Sequence, residues 1–400
     1  MFAGKLCRAF LGYAGVAGAL FLPLIPTAGQ KFPATAPGTA ASALGSVSQI
    51  VPKITTPDIA QSAPLLPFVA KPEAFRKWNV ISINGRDYVP LQDVASFYEF
   101  TRLSVTAQAI SLSSADRILQ CAADAYHIFI NNLRFALAAP IVKWNGTFLI
   151  SRRDLANTID PVLRPWRING SPVRTVVLDA GHGGNDNGTW SSLGSEKIFT
   201  LDVINRTAVL LQRHGYSVAF TRSSDVYVPL AERVRLANQN PDAVFISVHF
   251  NAGPARGIET YCLAPQGVPS TDNRPAITDV LFNPGNALDA QNVALATAVH
   301  GSVLKRLKSP DRGVRRARFH VLRDILIPAV LVEGGYLSGG DARSIASPLY
   351  REALAQGITE AVRRYALAVP GEQRPVLTEL AKNTVPSVSP SSADSKEQTP

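Results

Sequence analysis

Short apolar segments alternate with longer segments of helical periodicity between residues 171 and 369. The apolar segments are typical of buried strands: RTVVLDA, YSVAFTR, AVFISVH, GIETYCL, RFHVL and AVLVEGGYL. The segments between them are typical of helices, and the chain from 348 to 367 (PLYREALAQGITEAVRRYAL) predicts a closing helix. This order predicts an α/β domain with an open, mostly parallel sheet and helices on both faces.

Residues suited to metal binding follow the ends of these predicted strands. His182 comes after the first strand, His249 ends the third, and Glu333 lies in the last. Glu196 opens the first helix, which begins at the same edge of the sheet. Sites in open α/β sheets lie beyond the carboxyl ends of the strands. We therefore expect these four side chains to converge.

Two imidazoles and two carboxylates suit a single Zn²⁺ ion, because a catalytic zinc site has three protein ligands and leaves one position to water. We expect His182, Glu196 and His249 to be the ligands and Glu333 to transfer protons. Gly181, Gly183 and Gly184 allow the backbone around His182 to turn sharply. The alternative is that each histidine is an ordinary residue at the end of a strand.

An internal repeat marks a smaller domain at residues 73–168. VISINGRDYVPLQDVA (80–95) and IVKWNGTFLISRRDLA (141–156) carry Asn-Gly at the same position, which predicts hairpins. Asp93 and Asp154 are predicted to cap the helices that follow. We expect a small α+β module of paired hairpins and helices. It resembles the non-catalytic N-terminal domain of copper amine oxidases, and that resemblance implies no catalytic residues.

The remaining segments predict export. Residues 1–29 have Lys5 and Arg8 before an apolar run and read as a signal peptide, with an uncleaved anchor as the alternative. Residues 30–72 and 370–400 are predicted to be a disordered linker and tail. The protein is therefore expected in the periplasm or elsewhere in the extracytoplasmic envelope. Cys121 and Cys262 fall in different predicted domains, so no disulfide is expected.

The formal net charge is +10 with a pI of about 9.6. The basic residues are dispersed rather than clustered with aromatics, so we expect no nucleic-acid partner. Attraction to an acidic cell envelope explains the charge better. Contact with a membrane is expected only through the signal or anchor segment.

The blocks VVLDAGHGGNDNG (176–188), SEK, ISVHFNA, GIETYCL and PAVLVEGGYLS closely resemble zinc-dependent N-acetylmuramoyl-L-alanine amidases of the cell-separation and spore-cortex type. The resemblance covers 173–365, in family order. It implies zinc ligands at His182, Glu196 and His249 and a catalytic carboxylate at Glu333. The implied substrate is peptidoglycan, cleaved between the lactyl group of N-acetylmuramic acid and L-alanine. The family often has Asn where this chain has Gly339.

Four further residues are weaker candidates for substrate contact or for support of the metal ligands. Arg222 and Glu259 recur in family blocks; Arg222 would pair with a substrate carboxylate or with a buried acid. Asn251 and Asp179 would orient the neighbouring histidines, unless Asp179 caps its own loop. We expect no ligand role for the remaining histidines, which are His127, His214, His300 and His320, the last within a strand.

Three questions of function stay open at this level. There are two alternative functions. One is a zinc peptidase that acts on murein stem peptides, and the other is an envelope-binding protein without activity. The long loop 264–286 forms either a wall or lid of the substrate groove or a plug that blocks the metal. An envelope regulator or activator is a possible partner.

Overall fold

A computed structural model describes residues 78–271 and 276–370 of the 400-residue chain. The predicted signal peptide, linker and C-terminal tail lie outside the described residues. No helix among the described residues combines the length and the apolar character that crossing a membrane requires.

Residues 78–168 form short strands and helical turns. The strands are β1 (Ile81–Ile83), β2 (Arg86–Pro90), β3 (Arg102–Val105), β4 (Ala109–Ser113), β5 (Ile118–Ala122), β6 (His127–Ile130), β7 (Leu133–Ala136), β8 (Val142–Trp144) and β9 (Thr147–Ser151). The helices are α1 (Leu91–Phe97), α2 (Arg152–Asp154) and α3 (Asp160–Leu163). A π-helical turn at Leu155–Ile159 joins α2 to α3, and Pro165–Arg167 form a 3₁₀ turn.

The Asn-Gly hairpins are confirmed. Asn84–Gly85 connects β1 to β2, Asn145–Gly146 connects β8 to β9, and all four turn residues have positive φ. The two hairpins then pair with each other in a four-stranded sheet of order β1-β2-β9-β8. The sequence repeat therefore builds one sheet from two equivalent halves.

The two predicted helix caps are wrong. α1 begins at Leu91, which is fully buried, so Asp93 lies inside its first turn and accepts hydrogen bonds from Asn79 instead. At α2 the cap is Ser151, whose Oγ accepts from the Asp154 amide at 3.0 Å. The Asp154 carboxylate accepts from the backbone of 138 and 139, because burial leaves it no water to bind.

Residues 171–370 carry the alternating strands and helices. The strands are β10 (Thr175–Ala180), β11 (Trp190–Ser191), β12 (Gly194–Ser195), β13 (Ser217–Phe220), β14 (Ala243–Asn251), β15 (Ile258–Leu263), β16 (Asp311–Ala317) and β17 (Ala329–Tyr336). The helices are α4 (Glu196–Arg213), α5 (Leu230–Asn238), α6 (Asp289–Leu307), α7 (His320–Arg323), α8 (Ala342–Ala346) and α9 (Pro348–Ala368). Ile277–Val280 and Pro284–Leu288 form 3₁₀ turns.

An α/β architecture with a central sheet flanked by helices is confirmed. β13, β10, β14 and β17 are neighbouring parallel strands. α4, α6 and α9 pack on one face of the sheet in the larger core cluster, and α5 and α7 pack on the other. Side chains of alternating direction on each strand thus fill two apolar layers.

β15 departs from the parallel pattern. It runs antiparallel to β17 and parallel to β16. The reason is the connection from β14, residues 252–257, which is too short for a parallel crossover of a dozen or more residues. The start of β15 therefore lies beside the carboxyl end of β17.

The strand predicted at RFHVL is wrong. β16 ends at Ala317 because its partner β15 ends opposite, at Leu263. With no strand left to pair, the chain turns into α7, which begins at His320 and buries Val321 and Leu322 against the sheet. His320 is therefore a helix residue and not a strand residue.

Both predicted domains contribute to one eleven-stranded sheet, of order β13-β10-β14-β17-β15-β16-β7-β6-β5-β4-β3. The junction is the parallel pair of β16 with β7 at Val314 and Phe135. Asp311 reinforces it: its carboxylate accepts from the Arg134 amide at 2.9 Å and contacts the buried His300 at 2.8 Å. The sheet of the smaller module is thus a lateral extension of the α/β sheet.

Candidate metal centre

His182 lies in a tight turn directly after β10. Its φ is 62°, and Gly183 and Asp186 close the turn with reciprocal backbone hydrogen bonds. The Asp186 carboxylate contacts Nδ1 of His182 at 2.8 Å. This contact fixes the imidazole with Nε2 directed at Glu196, 3.1 Å from its Oε1. A carboxylate behind a histidine is the usual support of a metal-binding imidazole.

Glu196 begins α4 and is almost fully buried. Its Oε1 lies 2.9 Å from Nδ1 of His249, near the end of β14, and accepts from the Phe250 amide at 3.0 Å. Oε2 accepts from the Thr189 amide at 2.7 Å. Backbone donors on two sides therefore hold this carboxylate between the two imidazoles.

His182, Glu196 and His249 each offer one donor atom, and these atoms lie within 4.8 Å of one another. Ligands about 2.0–2.1 Å from one zinc ion lie roughly 3–4 Å apart, so the two nitrogen–oxygen separations fit a shared ion. The structure thus brings the three predicted ligands together, and their donor set suits zinc.

The charged groups of this centre shift one another's pKa values. Burial lowers the pKa of His182, but its hydrogen bonds to Asp186 and Glu196 outweigh burial and raise the pKa to about 10. For Glu196 the two effects have the opposite sign. Burial raises the pKa of this carboxyl, but the two imidazoles outweigh burial and lower the pKa below its usual value. The centre therefore concentrates negative charge that a cation or a proton must balance.

Glu333 lies on β17 directly opposite His249 of β14, and the residue is 6% exposed. Its Oε2 has no hydrogen-bond partner among the described residues. Burial, reinforced by the negative charges of Glu196 and Glu259, raises the pKa of Glu333 well above its usual value. A buried carboxyl with a raised pKa beside the metal ligands suits proton uptake during a reaction.

Glu259 lies on β15 opposite Glu333 and is fully buried. Five donors surround its carboxylate at 2.8–2.9 Å: Arg312, Arg315, Tyr261, Tyr336 and Asn251. Burial raises the pKa of Glu259, but these arginines and tyrosines outweigh it and lower the pKa, which keeps Glu259 ionised. Asn251 was expected to orient a ligand histidine, but its side-chain amide donates to Glu259 instead.

Arg222 and Asp179 have other roles than those expected. Arg222 is 3% exposed and donates to the backbone carbonyls of Ala180 and Gly181, and it forms no ion pair with an acidic side chain among the described residues. Asp179 forms a buried ion pair with Arg233 at 2.7 Å and does not contact an imidazole. Arg233 in turn donates to the His182 carbonyl at 2.6 Å. Both arginines hold the turn that carries His182.

We expect Arg233→Met to lower the free energy of unfolding by about 3 kcal/mol at neutral pH, since it leaves the Asp179 carboxylate buried without its cation. Burial raises the pKa of Asp179, but Arg233 and two hydroxyl donors outweigh it and lower the pKa below its usual value. The pair therefore stabilises the fold above about pH 4, and its contribution is lost as the pH falls through the folded-state pKa. Urea unfolding followed by circular dichroism, at pH 7 and at a series of pH values below 4, measures both effects.

The matched control is Arg235→Met on the same helix, because Arg235 pairs with the exposed Glu232 and with no other acid in the part of the chain that the structure describes. It is expected to leave stability near that of the wild type. Equal stability of both variants at pH 7 would contradict a structural role for the buried pair.

Sequence reasoning missed two residues that shape the site, Gly188 and Asp186, and also the close packing at Gly181 and Gly339. Gly188 has a φ of 63°, and a Cβ there would lie 2.4 Å from the His182 ring and 2.6 Å from Glu196. A Cβ at Gly181 would meet the His249 ring at 2.3 Å. Gly339, which stands where relatives often have Asn, approaches the Gly253 carbonyl so closely that a Cβ would lie 2.4 Å from it. The spacing of Asp186 from His182, within one Gly-rich loop, was the available signal for its role.

The described residues of the long loop lie away from this centre. The loop begins after Leu263, the last residue of β15, whereas Glu259 lies near the start of the same strand. Arg318 binds its Asp279 at 2.8 Å, and Arg153 donates to the Gly267 carbonyl at 2.7 Å. These anchors hold the described parts of the loop at the far end of the sheet.

Comparison with known proteins identifies similar sequences. Residues 176–364 match the model of the family described as N-acetylmuramoyl-L-alanine amidase. The sporulation-specific N-acetylmuramoyl-L-alanine amidase of Bacillus subtilis strain 168 is 30% identical over 185 residues, which cover 46% of this chain and 64% of that protein. The N-acetylmuramoyl-L-alanine amidase CwlM of Bacillus licheniformis is 31% identical over 192 residues, which cover 47% and 67%.

A solved structure of an N-acetylmuramoyl-L-alanine amidase from Clostridium difficile 630 is 32% identical. It aligns with a TM-score of 0.42 over 50% of this chain and 100% of its own length. The chain spans about two thirds of the length of the curated relatives above.

Proposed function

Because the chain belongs to the N-acetylmuramoyl-L-alanine amidase family, we propose that it hydrolyses peptidoglycan with one zinc ion. The bond is the amide between the lactyl group of N-acetylmuramic acid and L-alanine. The observation that carries the proposal is the convergence of His182, Glu196 and His249 beside the buried carboxyl of Glu333. Zinc dependence rests on the chemistry of that donor set.

We propose that His182, Glu196 and His249 hold the ion. When bound, zinc supplies Lewis-acid polarisation of the amide carbonyl and makes water more acidic. Asp186 keeps the His182 ring in the orientation that presents Nε2. Glu333 takes the proton of the attacking water and returns it to the departing amine nitrogen. Its raised pKa supports this role, because a base that must also act as an acid needs a pKa nearer to neutrality.

Mass analysis of murein fragments after digestion tests the proposed reaction. The expected products are glycan strands with unsubstituted lactyl groups together with intact stem peptides. Shortened stem peptides would identify a zinc peptidase instead. Metal-replete protein that releases no fragment would identify an envelope-binding protein without activity.

We further propose that the protein acts outside the cytoplasm, in cell-wall remodelling or separation of daughter cells. The predicted signal peptide supports this location, and so does the similarity to relatives named probable cell wall amidases. Residues 73–168 are proposed to be non-catalytic, and an envelope regulator or activator remains a proposed partner.

Replacing residues 269–282 by a short Gly-Ser linker is expected to leave hydrolysis of isolated sacculi unchanged. The reason is that the described loop residues bind Arg153 and Arg318, and not the metal-binding residues. Dye release from labelled sacculi measures the rate. An increase in basal rate after the replacement would identify the loop as a plug.

A further inference from the structure

A second cleft lies on the smaller module, on the surface of strands β3–β6. Its volume is about 250 Å³. The side chains in its wall that can bind a ligand are Ser104, Thr106, Ser111, Gln120, His127 and Phe129. Ser104 and Thr106 are exposed and the other four are half-buried, so the wall is accessible from solvent.

The cleft presents unused hydrogen-bonding groups. Ser104, Ser111, Gln120 and Phe129 lie opposite one another on four neighbouring strands, and directly paired residues point to the same face. Within the described part of the chain, the side chains of Ser104, Ser111 and Gln120 make no hydrogen bond to protein. Two hydroxyls and an amide beside an aromatic ring are the groups that bind a hydroxylated ring of moderate polarity.

The described lining of the cleft carries no charged side chain, but Arg134 lies beside it, opposite Phe129 on β7. No Asp, Glu, Lys or Arg is among its described lining residues. Burial, with the nearby charge of Arg134, lowers the pKa of His127, so the imidazole is uncharged at neutral pH. Its ring meets Phe129 edge to face at 5.6 Å. An uncharged lining favours a hydroxyl-rich ligand, and the neighbouring Arg134 can balance a carboxylate on that ligand, such as the lactyl group of a peptide-free glycan.

The cleft and the metal centre share one face of one sheet. Ile128 and Val332 pack in the same core cluster, on the face covered by α6 and α9. Their chain neighbours, Phe129 and Glu333, therefore point to the opposite face. β6 is four strands from β17 in the continuous sheet, a distance of roughly 19 Å at the usual strand spacing.

We propose that this cleft binds the glycan strand of peptidoglycan, through its amino-sugar rings, while the same polymer reaches the metal centre. This inference rests on the proposed function, which supplies a polymeric substrate. Ser111 and Gln120 donate to and accept from the sugar hydroxyls and acetamido groups, and Phe129 packs against a ring face. The smaller module is then a substrate-binding extension of the catalytic sheet.

Calorimetric titration of the full chain with soluble, peptide-free glycan strands tests the proposal. Gln120→Leu and Phe129→Ala are each expected to weaken glycan binding about five- to tenfold, which corresponds to the loss of one hydrogen bond or one aromatic contact. Phe129→Trp keeps a ring and is expected to retain binding. The control Ser113→Ala lies on the same face of β4 but outside the cleft.

Turnover of a muramoyl-pentapeptide with a single sugar is measured on the same samples, because so short a substrate does not span both sites. It is expected to be equal in wild type and cleft variants, and circular dichroism checks that each variant is folded. Unchanged glycan affinity in both Gln120→Leu and Phe129→Ala overturns the proposal. Variants that lose affinity for free stem peptide instead of glycan overturn it as well. Failure of the wild type to hydrolyse the muramoyl-pentapeptide would instead overturn the proposed function, and the glycan titration would still report on the cleft.

Discussion

Glu333→Gln is expected to lower peptidoglycan hydrolysis about 10³-fold without loss of zinc. The amide has the size of the carboxyl but accepts no proton, so water is not activated and the amine leaves unprotonated. Zinc is expected to stay because the three proposed donors belong to other residues. Fragment release from labelled sacculi and zinc content by mass spectrometry are measured on the same preparation.

Glu360→Gln is the matched control. Glu360 is a partly exposed carboxylate on α9 that pairs with Arg363 and Arg364. This variant is expected to keep wild-type activity and zinc. If Glu333→Gln emptied the site of zinc, Glu333 would have to be reassigned as a metal ligand.

His249→Ala is expected to abolish both zinc binding and hydrolysis. Loss of a residue that only supports a ligand lowers metal affinity about 10- to 100-fold, and loss of a ligand itself costs at least the upper end of that range. The remaining pair, His182 and Glu196, cannot complete a three-ligand catalytic site. Competition against a coloured chelator measures the affinity, and sacculus digestion measures the activity.

Asp186→Asn is expected to give a zinc affinity between those of the wild type and His249→Ala. It keeps a group near Nδ1 of His182 but removes the charge, so zinc affinity is expected to fall about 10- to 100-fold. The control His214→Ala removes the exposed imidazole of the residue that follows α4, and is expected to leave affinity unchanged. One full equivalent of tightly bound zinc in His249→Ala would rule out the proposed ligand set.

Local sequence patterns predicted much of the fold. Asn-Gly dictated the two hairpins because both turn positions require positive φ. Apolar strands and periodic helices predicted the α/β sheet, and parallel strand ends predicted that His249 and Glu333 meet. These features depend on a few neighbouring residues or on a general rule of sheet topology. The sequence alone is therefore enough to predict them.

Contacts between distant segments were not predictable in this way. The direction of β15 depends on which strand it pairs with after a short connection. Arg233 lies 54 residues from its partner Asp179, and no local pattern links them. The same limit explains the roles of Arg222 and Asn251, whose polar groups bind whichever buried partner the fold brings close.

Local sequence places the histidines and glutamates at the strand ends, and so fixes the chemistry that the centre can perform. Tertiary structure alone decided which buried charges are paired, and it joined β7 to β16 so that the smaller module extends the same sheet. The physical reason is that strand order and ion pairing are chosen by burial and hydrogen bonding summed over the whole core, whereas turns and helices are chosen within a few residues.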